Sequence, residues 1–176
     1  MLANARKYAE QLNNKLMDTW YDPTYQFYYS GRTHNTVSFE EDDARSRQFV
    51  SIDPKAPQGE EVIGYLNCWI NSEINSVDGL GAINFDLSLH GKYILGRDLL
   101  QMIDDLFMRD EFNRIQFLVV VGNPIEAMYD KYIERYGGRI AGTFRQSHLG
   151  AKGELRDEKV YEIMRNEYLA HKLKER

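Results

Sequence analysis

Apolar residues at Ala5, Tyr8, Ala9, Leu12, Leu16 and Trp20 recur every three or four positions, with Lys7, Glu10, Asn13 and Asn14 between them. That period predicts an amphipathic helix over residues 2–19, ended by Asp22-Pro23. Residues 24–39 are rich in Tyr, Phe and Gly without a period, and the acidic run Glu40 to Asp43 has the composition of a solvated loop. Residues 45–52 alternate as a strand does. The following Asp53-Pro54 through Gln58-Gly59 carries turn chemistry, so a hairpin to residues 61–71 is predicted. Gly79 and Gly81 open a further strand through Leu89. Ile83, Phe85, Leu87 and Leu89 occupy one face of it, and Asn84, Asp86, Ser88 and His90 the other.

The rhythm changes in the second half. Leu95, Leu99, Leu100, Ile103, Leu106 and Phe107 mark a helix ending near Met108, and the run within residues 114–121 suits a strand buried on both faces. Asn123, Pro124 and Glu126 form a cap-box arrangement that satisfies the free amides of a helix start. The helix that comes next carries Ile125, Met128, Tyr129, Tyr132, Ile133 and Tyr136 on one face, and Gly137-Gly138 supplies its left-handed stop. Residues 139–146 and 159–164 flank the Gly150-Ala151-Lys152-Gly153 turn and predict a closing antiparallel hairpin. The chain therefore reads as α/β (α+β): a mixed, mainly antiparallel sheet flanked by helices, with a central strand-helix-strand unit and a C-terminal hairpin.

At 176 residues the chain suits a single domain, 1–176, and its 12% aromatic content excludes disorder. No apolar run approaches the roughly 20 residues of a membrane-spanning helix, so a soluble, cytoplasmic protein is expected. Cys68 stands alone, and His34, His90, His148 and His171 have no paired spacing, so neither a disulfide nor a metal site is expected. The net charge of −5 has the wrong sign for nucleic-acid binding, yet leaves room for a local anion pocket.

Such a pocket is suggested by His90-Gly91-Lys92-Tyr93-Ile94-Leu95-Gly96-Arg97, read as a loop between a strand and a helix. Amides at a helix start converge on an anion, glycines allow close approach, and Lys92 and Arg97 add charge. The segment is neither a Walker loop nor a dinucleotide fingerprint, and two glycines with two cations also describe an ordinary turn. Together with the helix, strand and second helix that succeed it along the chain, the segment resembles the GNAT superfamily of acetyl-CoA-dependent N-acetyltransferases, over about residues 61–168. The glycine loop before a helix corresponds to Gly91 to Arg97, followed by Asp98-Leu99-Leu100. The family's next strand, its Asn and its Tyr-bearing helix correspond to Phe117 to Val121, Asn123, and the helix with Tyr129 and Tyr132. The terminal glycine corresponds to Gly137-Gly138, and residues 156–168 look like the closing strand of the ribosomal-protein and spermidine acetyltransferase branch. Ile94 stands where the loop's first glycine would be.

The resemblance implies acetyl-CoA as co-substrate and a primary amine, of a small molecule or a protein N-terminus, as acceptor. Main-chain groups from Asp86 to Leu89, with Leu87, Leu89 and His90 beside them, would meet the pantetheine arm. Gly91, Lys92, Gly96 and Arg97 would hold the diphosphate, and Asn123 would touch the cofactor arm. Tyr132, ahead of Tyr129, would protonate the leaving thiolate, and Asp86, with Glu73 behind it, would take the proton of the amine. Each has a plainer reading: the tyrosines as core, Asp86 as a solvent-facing strand residue, Asn123 as a cap, and Cys68 as a small buried hydrophobe. The acidic balance favours a cationic acceptor such as a polyamine or basic peptide. Dimerisation through the strand at 139–146 is a further expectation. The rivals are a GNAT-shaped CoA-binding or scaffolding module without catalysis, and an α/β protein binding another phosphorylated ligand.

Overall fold

The computed structural model describes residues 1–28, 36–39, 45–150 and 152–174. Its seven-stranded sheet has the order β1-β2-β3-β4-β5-β7-β6: β1 is Leu2–Asn4, β2 Ser46–Ile52, β3 Val62–Asn71, β4 Ser76–Asn84, β5 Arg114–Val120, β6 Arg139–Leu149 and β7 Leu155–Met164. Every pairing is antiparallel except β4–β5, which is parallel. The helices are α1 (Ala9–Thr19), α2 (Leu89–Asp104), α3 (Glu126–Tyr136) and α4 (Arg165–Lys174). Most of residues 24–43, including His34 and the acidic run, lies outside the described residues.

Two cores sit on opposite faces of the sheet. Leu66, Leu80 and Phe117 point to one face and pack under α2, α3 and α4, with Leu99, Ile103, Tyr129 and Tyr168 closing that layer. Val50, Tyr65 and Ile83 point to the other, where Leu12 and Leu16 of α1 cover them. The period-2 alternation of β2 and β3 thus divides its apolar residues between two helical layers. Cys68 lies in the larger core, 1% exposed, and burial pushes its thiol up to about 12. Rings of Phe117, Tyr129, Tyr161, Tyr132, Tyr136, Tyr168 and Phe107 form a continuous stack with centroid separations of 4.7–6.4 Å. Such pairs add about 0.5–1.5 kcal/mol each beyond their buried area.

The hairpin of residues 45–71, the β5 strand, the helix stop at Gly137 (φ +78) and the closing hairpin all form as the pattern predicts. Five expectations are corrected. The helix expected over 2–19 begins only at Ala9: Leu2–Asn4 pairs with Phe49–Ser51, and Asn4 caps a 3₁₀ turn by accepting from the Arg6 N–H. The strand expected through Leu89 stops at Asn84, and Leu87 and Leu89, whose alternation extended it, are exposed. The segment from Gly91 to Arg97 is helix rather than loop, because Ser88 caps α2 and accepts from the Gly91 N–H at 3.1 Å. The closing strand ends at Met164, so Tyr168 belongs to α4. Full burial of β5 on both faces also fails at Leu118, which is 38% exposed.

The two α2 glycines differ in what surrounds them. A Cβ at Gly91 would lie 2.2 Å from the backbone oxygen of Asp86, whereas one at Gly96 would meet nothing within 4 Å. Gly91→Ala should therefore destabilise the protein by displacing the 85–88 turn. Gly96→Ala should stabilise it by about 0.5–1 kcal/mol through helix propensity. Urea unfolding of both variants checks the opposite signs.

Candidate active site

The parallel β4–β5 ladder runs Ser76↔Arg114, Val77↔Ile115 and Leu80↔Phe117, then stops. Four more residues of β4, Gly81 to Asn84, and three of β5, Leu118 to Val120, continue as strand without pairing to each other. β4 stays paired to β3 as far as Asn84, and β5 stays paired to β7 as far as Val120, so each strand keeps its outer partner while the inner edges part. The outcome is an opening inside the sheet lined by main-chain donors and acceptors.

A β-bulge precedes the parting. Trp69↔Gly79 is followed by Ile70↔Val77, and Asp78 pairs in neither neighbouring ladder. Its carboxylate is gripped by Ser76 Oγ at 2.5 Å, Asn71 Nδ2 at 3.0 Å and Arg114 Nη2 at 2.9 Å. Burial works to raise the Asp78 pKa, but these donors outweigh it and hold the carboxyl below its ordinary value. Arg114 also faces Glu162, which accepts from Arg139 Nε at 3.0 Å. An extra residue bends and twists its strand, which is the local reason that β4 diverges from β5.

Beyond the opening lies the α2 N-terminus. Asp86 Oδ1 accepts from the Ser88 N–H at 2.9 Å, and hydrogen bonds from Ser88 hold its carboxyl below the usual range. His90 Nε2 lies 2.8 Å from Asp53 Oδ2, and Asp53 is itself lowered, first by the Lys55 amide and then by His90. Leu87, Leu89, His90, Gly91 and Lys92 thus gather around this helix start. Gly96 and Arg97 do not join them. They lie two turns along α2, where Arg97 Nε and Nη2 fork onto Asp98 Oδ1 at 3.0 and 2.7 Å and buried Asp98 binds Ser51. Glu73 is exposed in the β3–β4 turn, at the opposite end of β4 from the opening.

On the far side, Asn123 Oδ1 accepts from the Ile125 N–H at 3.1 Å, while Glu126 Oε1 reaches back to the Gly122 N–H at 2.5 Å. The cap box expected on Asn123 with Pro124 as first helical residue does not form: α3 begins at Glu126 behind Ile125, which has no side-chain cap, and Asn123 and Glu126 instead tie the turn that precedes it. Tyr129 is fully buried, its ring 5.0 Å from that of Phe117, the last β5 residue paired to β4. Burial raises its hydroxyl well above the ordinary value. Tyr132 is half-buried between Tyr129 and Tyr136, and burial pushes it up to about 12.

Sequence reasoning missed Asp78, Asp53 and the Ser88 cap. A serine three residues before Gly91 was a usable cap signal. Asp78 interrupts an apolar stretch, but only the register reveals that it is a bulge. Among the described residues no cluster of His, Cys, Asp and Glu could hold a metal ion, and no helix is long and apolar enough to cross a membrane.

Because the folded-state Asp78 pKa is depressed, its contribution to stability is present above its unfolded value near 3.8 and is lost as pH falls through the folded one. The Tm difference between wild type and Asp78→Asn should therefore be largest near pH 6–7 and shrink below about pH 4. A constant difference across a thermal melt series would contradict this.

No family model and no curated protein sequence matches the chain. Solved structures do. Spermidine N-acetyltransferase from Vibrio cholerae, in complex with CoA and spermine, superposes over 96% of this chain and 97% of its own with a TM-score of 0.69 at 19% identity. A chimera of the Vibrio cholerae enzyme SpeG with hSSAT aligns over 73% of this chain and 74% of its own, with a TM-score of 0.59 and 22% identity. SpeG in complex with manganese ions gives 0.59 and 22% over 73% of this chain and 70% of its own. At these identities the likeness is one of fold. With its mixed, mainly antiparallel sheet flanked by four helices and its parted central strands, this chain has the fold of the GNAT superfamily.

Proposed function

We propose that this chain is an acetyl-CoA-dependent N-acetyltransferase, built as a single domain of residues 1–176, that acetylates a primary amine of cationic character such as a polyamine. The observation that carries this reading is the end of the β4–β5 ladder at Leu80↔Phe117. Unpaired strand edges inside a sheet are costly unless a ligand completes them, and an extended amide-bearing arm such as pantetheine has the required donors and acceptors. The neighbour sharing the fold across 96% of the chain was solved with CoA and spermine, which supports both co-substrate and acceptor class.

In this reading the edge of Gly81 to Asn84 binds the arm, and an amide near Leu80 meets the acetyl oxygen as negative charge develops on it. Acetyl-CoA supplies a thioester already activated toward amines, so the chain's task is mainly positioning. Lys92 and the α2 N-terminal amides of Leu89 and His90 suit the diphosphate, while Asn123 orders the start of α3 beside the arm. Gly96 and Arg97 lie two turns along α2, away from that helix start. Asp86, engaged with Ser88, shapes the helix start at the diphosphate end rather than the thiol end. Of the two tyrosines, Tyr129 is assigned as the general acid on geometry: its ring rests on Phe117 at the apex of the opening, where the thiolate would leave.

Acetyl-CoA at about 100 times its Kd should stabilise the fold by about 2.7 kcal/mol, read as a rise in Tm. Acetylated spermidine should then form, detected by mass spectrometry. Stabilisation without product would indicate a CoA-binding module, and no stabilisation would remove the coenzyme from the account. Tyr129→Phe should lower kcat about 100-fold with acetyl-CoA affinity unchanged, and Tyr132→Phe much less. The reverse order would reassign the acid.

A further inference from the structure

The hairpin beside the opening holds a group of side chains that no coenzyme contact explains. Phe144 pairs with Glu158, yet His148 pairs with Arg156, so β6 gains two residues over β7. Within that bulge Gln146 adopts φ +53, with its N–H donating to Asp157 Oδ1 at 2.8 Å. A left-handed glutamine is unfavourable, and its effect here is to re-aim a side chain. His148 turns inward to become the one buried residue of β6, at 7% exposure. Its Nδ1 lies 3.7 Å from Glu158 Oε1, and its Nε2 is buried with no hydrogen-bond partner among the described residues. Ser147 Oγ donates to Glu158 Oε2 at 2.8 Å.

Glu158 is cross-strand from Val120, the last residue of the freed β5 edge. Three residues at about 3.3 Å each put it about 10 Å along β5 from Phe117. It shares a face with Val160 and Glu162, the face away from α2, α3 and α4. On the same face Arg156 lies over the Phe27 ring at 4.9 Å and donates to Gln26 Oε1, tying in the segment after α1. The coenzyme's diphosphate end and Asp86 lie elsewhere, at the α2 start.

We propose that Glu158 receives the ammonium of the acceptor and takes its proton, with Ser147 Oγ hydrogen-bonded to the carboxylate and buried His148 lying behind it as a positioning residue. This rests on the acetyltransferase reading. A proton passes from R–NH₃⁺ to the Glu158 carboxylate, and the freed nitrogen lone pair forms a C–N bond to the thioester carbonyl carbon. The C–S bond breaks, and the thiolate takes a proton from Tyr129. The second proton, lost by nitrogen as the amide forms, restores Tyr129, and Glu158 releases the first to solvent.

The test compares wild type with Glu158→Gln, Glu158→Asp and His148→Asn, using acetyl-CoA and spermidine between pH 7 and 9. Glu158→Gln should lower kcat/KM for spermidine about 100-fold at pH 7 and leave the KM for acetyl-CoA unchanged. The deficit should narrow about tenfold per pH unit, because the fraction of free amine rises tenfold per unit below an ammonium pKa near 10. Glu158→Asp should recover part of the loss, and His148→Asn should show a smaller deficit with the same narrowing. A pH-independent deficit, or none, would overturn the assignment. If wild type transfers no acetyl group, the acetyltransferase reading fails, and spermidine titration calorimetry decides the site separately. At least tenfold weaker binding by Glu158→Gln upholds it, whereas equal binding, or none by wild type, overturns it.

Discussion

The grip of Ser76, Asn71 and Arg114 on the Asp78 carboxylate is the contact on which the rest of the architecture depends. A half-buried carboxylate in the middle of a sheet is tolerated only when donors surround it, and these donors come from β4 itself, β3 and β5. Satisfying them fixes Asp78 out of register with both neighbours. The strand then leaves the bulge at a changed angle, and the parallel ladder survives for only one further pair. The bare inner edges of β4 and β5 stem from that divergence.

Elements whose identity is set by local periodicity were legible in the sequence. The β2–β3 hairpin, α3 with its Gly137 stop and the closing hairpin arise from spacing, caps and turn residues, which act over a few positions. The β4–α2 junction was not, for a physical reason: Leu87 and Leu89 keep the strand alternation, and a two-residue period says nothing about whether a neighbour is present to bury them. The strand stops at Asn84, and Ser88 starts α2 by accepting from the Gly91 amide, so a supposed glycine loop became helix. Leu2–Asn4 reversed its expected state because the edge of β2 was free to accept it, a tertiary opportunity invisible in the helical pattern.

The candidate site was legible by residue type more than by role. Tyr129, Asn123, Lys92 and the helix start flank the opening, but Arg97 is drawn off by buried Asp98, and Asp86 is held by Ser88. Glu158 and His148 could not be singled out beforehand, since their proximity depends on two extra residues in β6. The sheet also divides labour between its faces. One is sealed by three helices and a stack of rings. The other is covered by α1 over β2 and β3, and toward β7 it meets the segment after α1 through Arg156.

Cys68, in the centre of β3 with both flanking strands in place, makes this chain its own reporter of breathing. A thiol that is shut away and kept protonated is inert toward alkylating reagents until the sheet separates around it. Modification of the sole sulfhydryl would therefore be gated by rare opening of the core, and its velocity would measure how often that core comes apart.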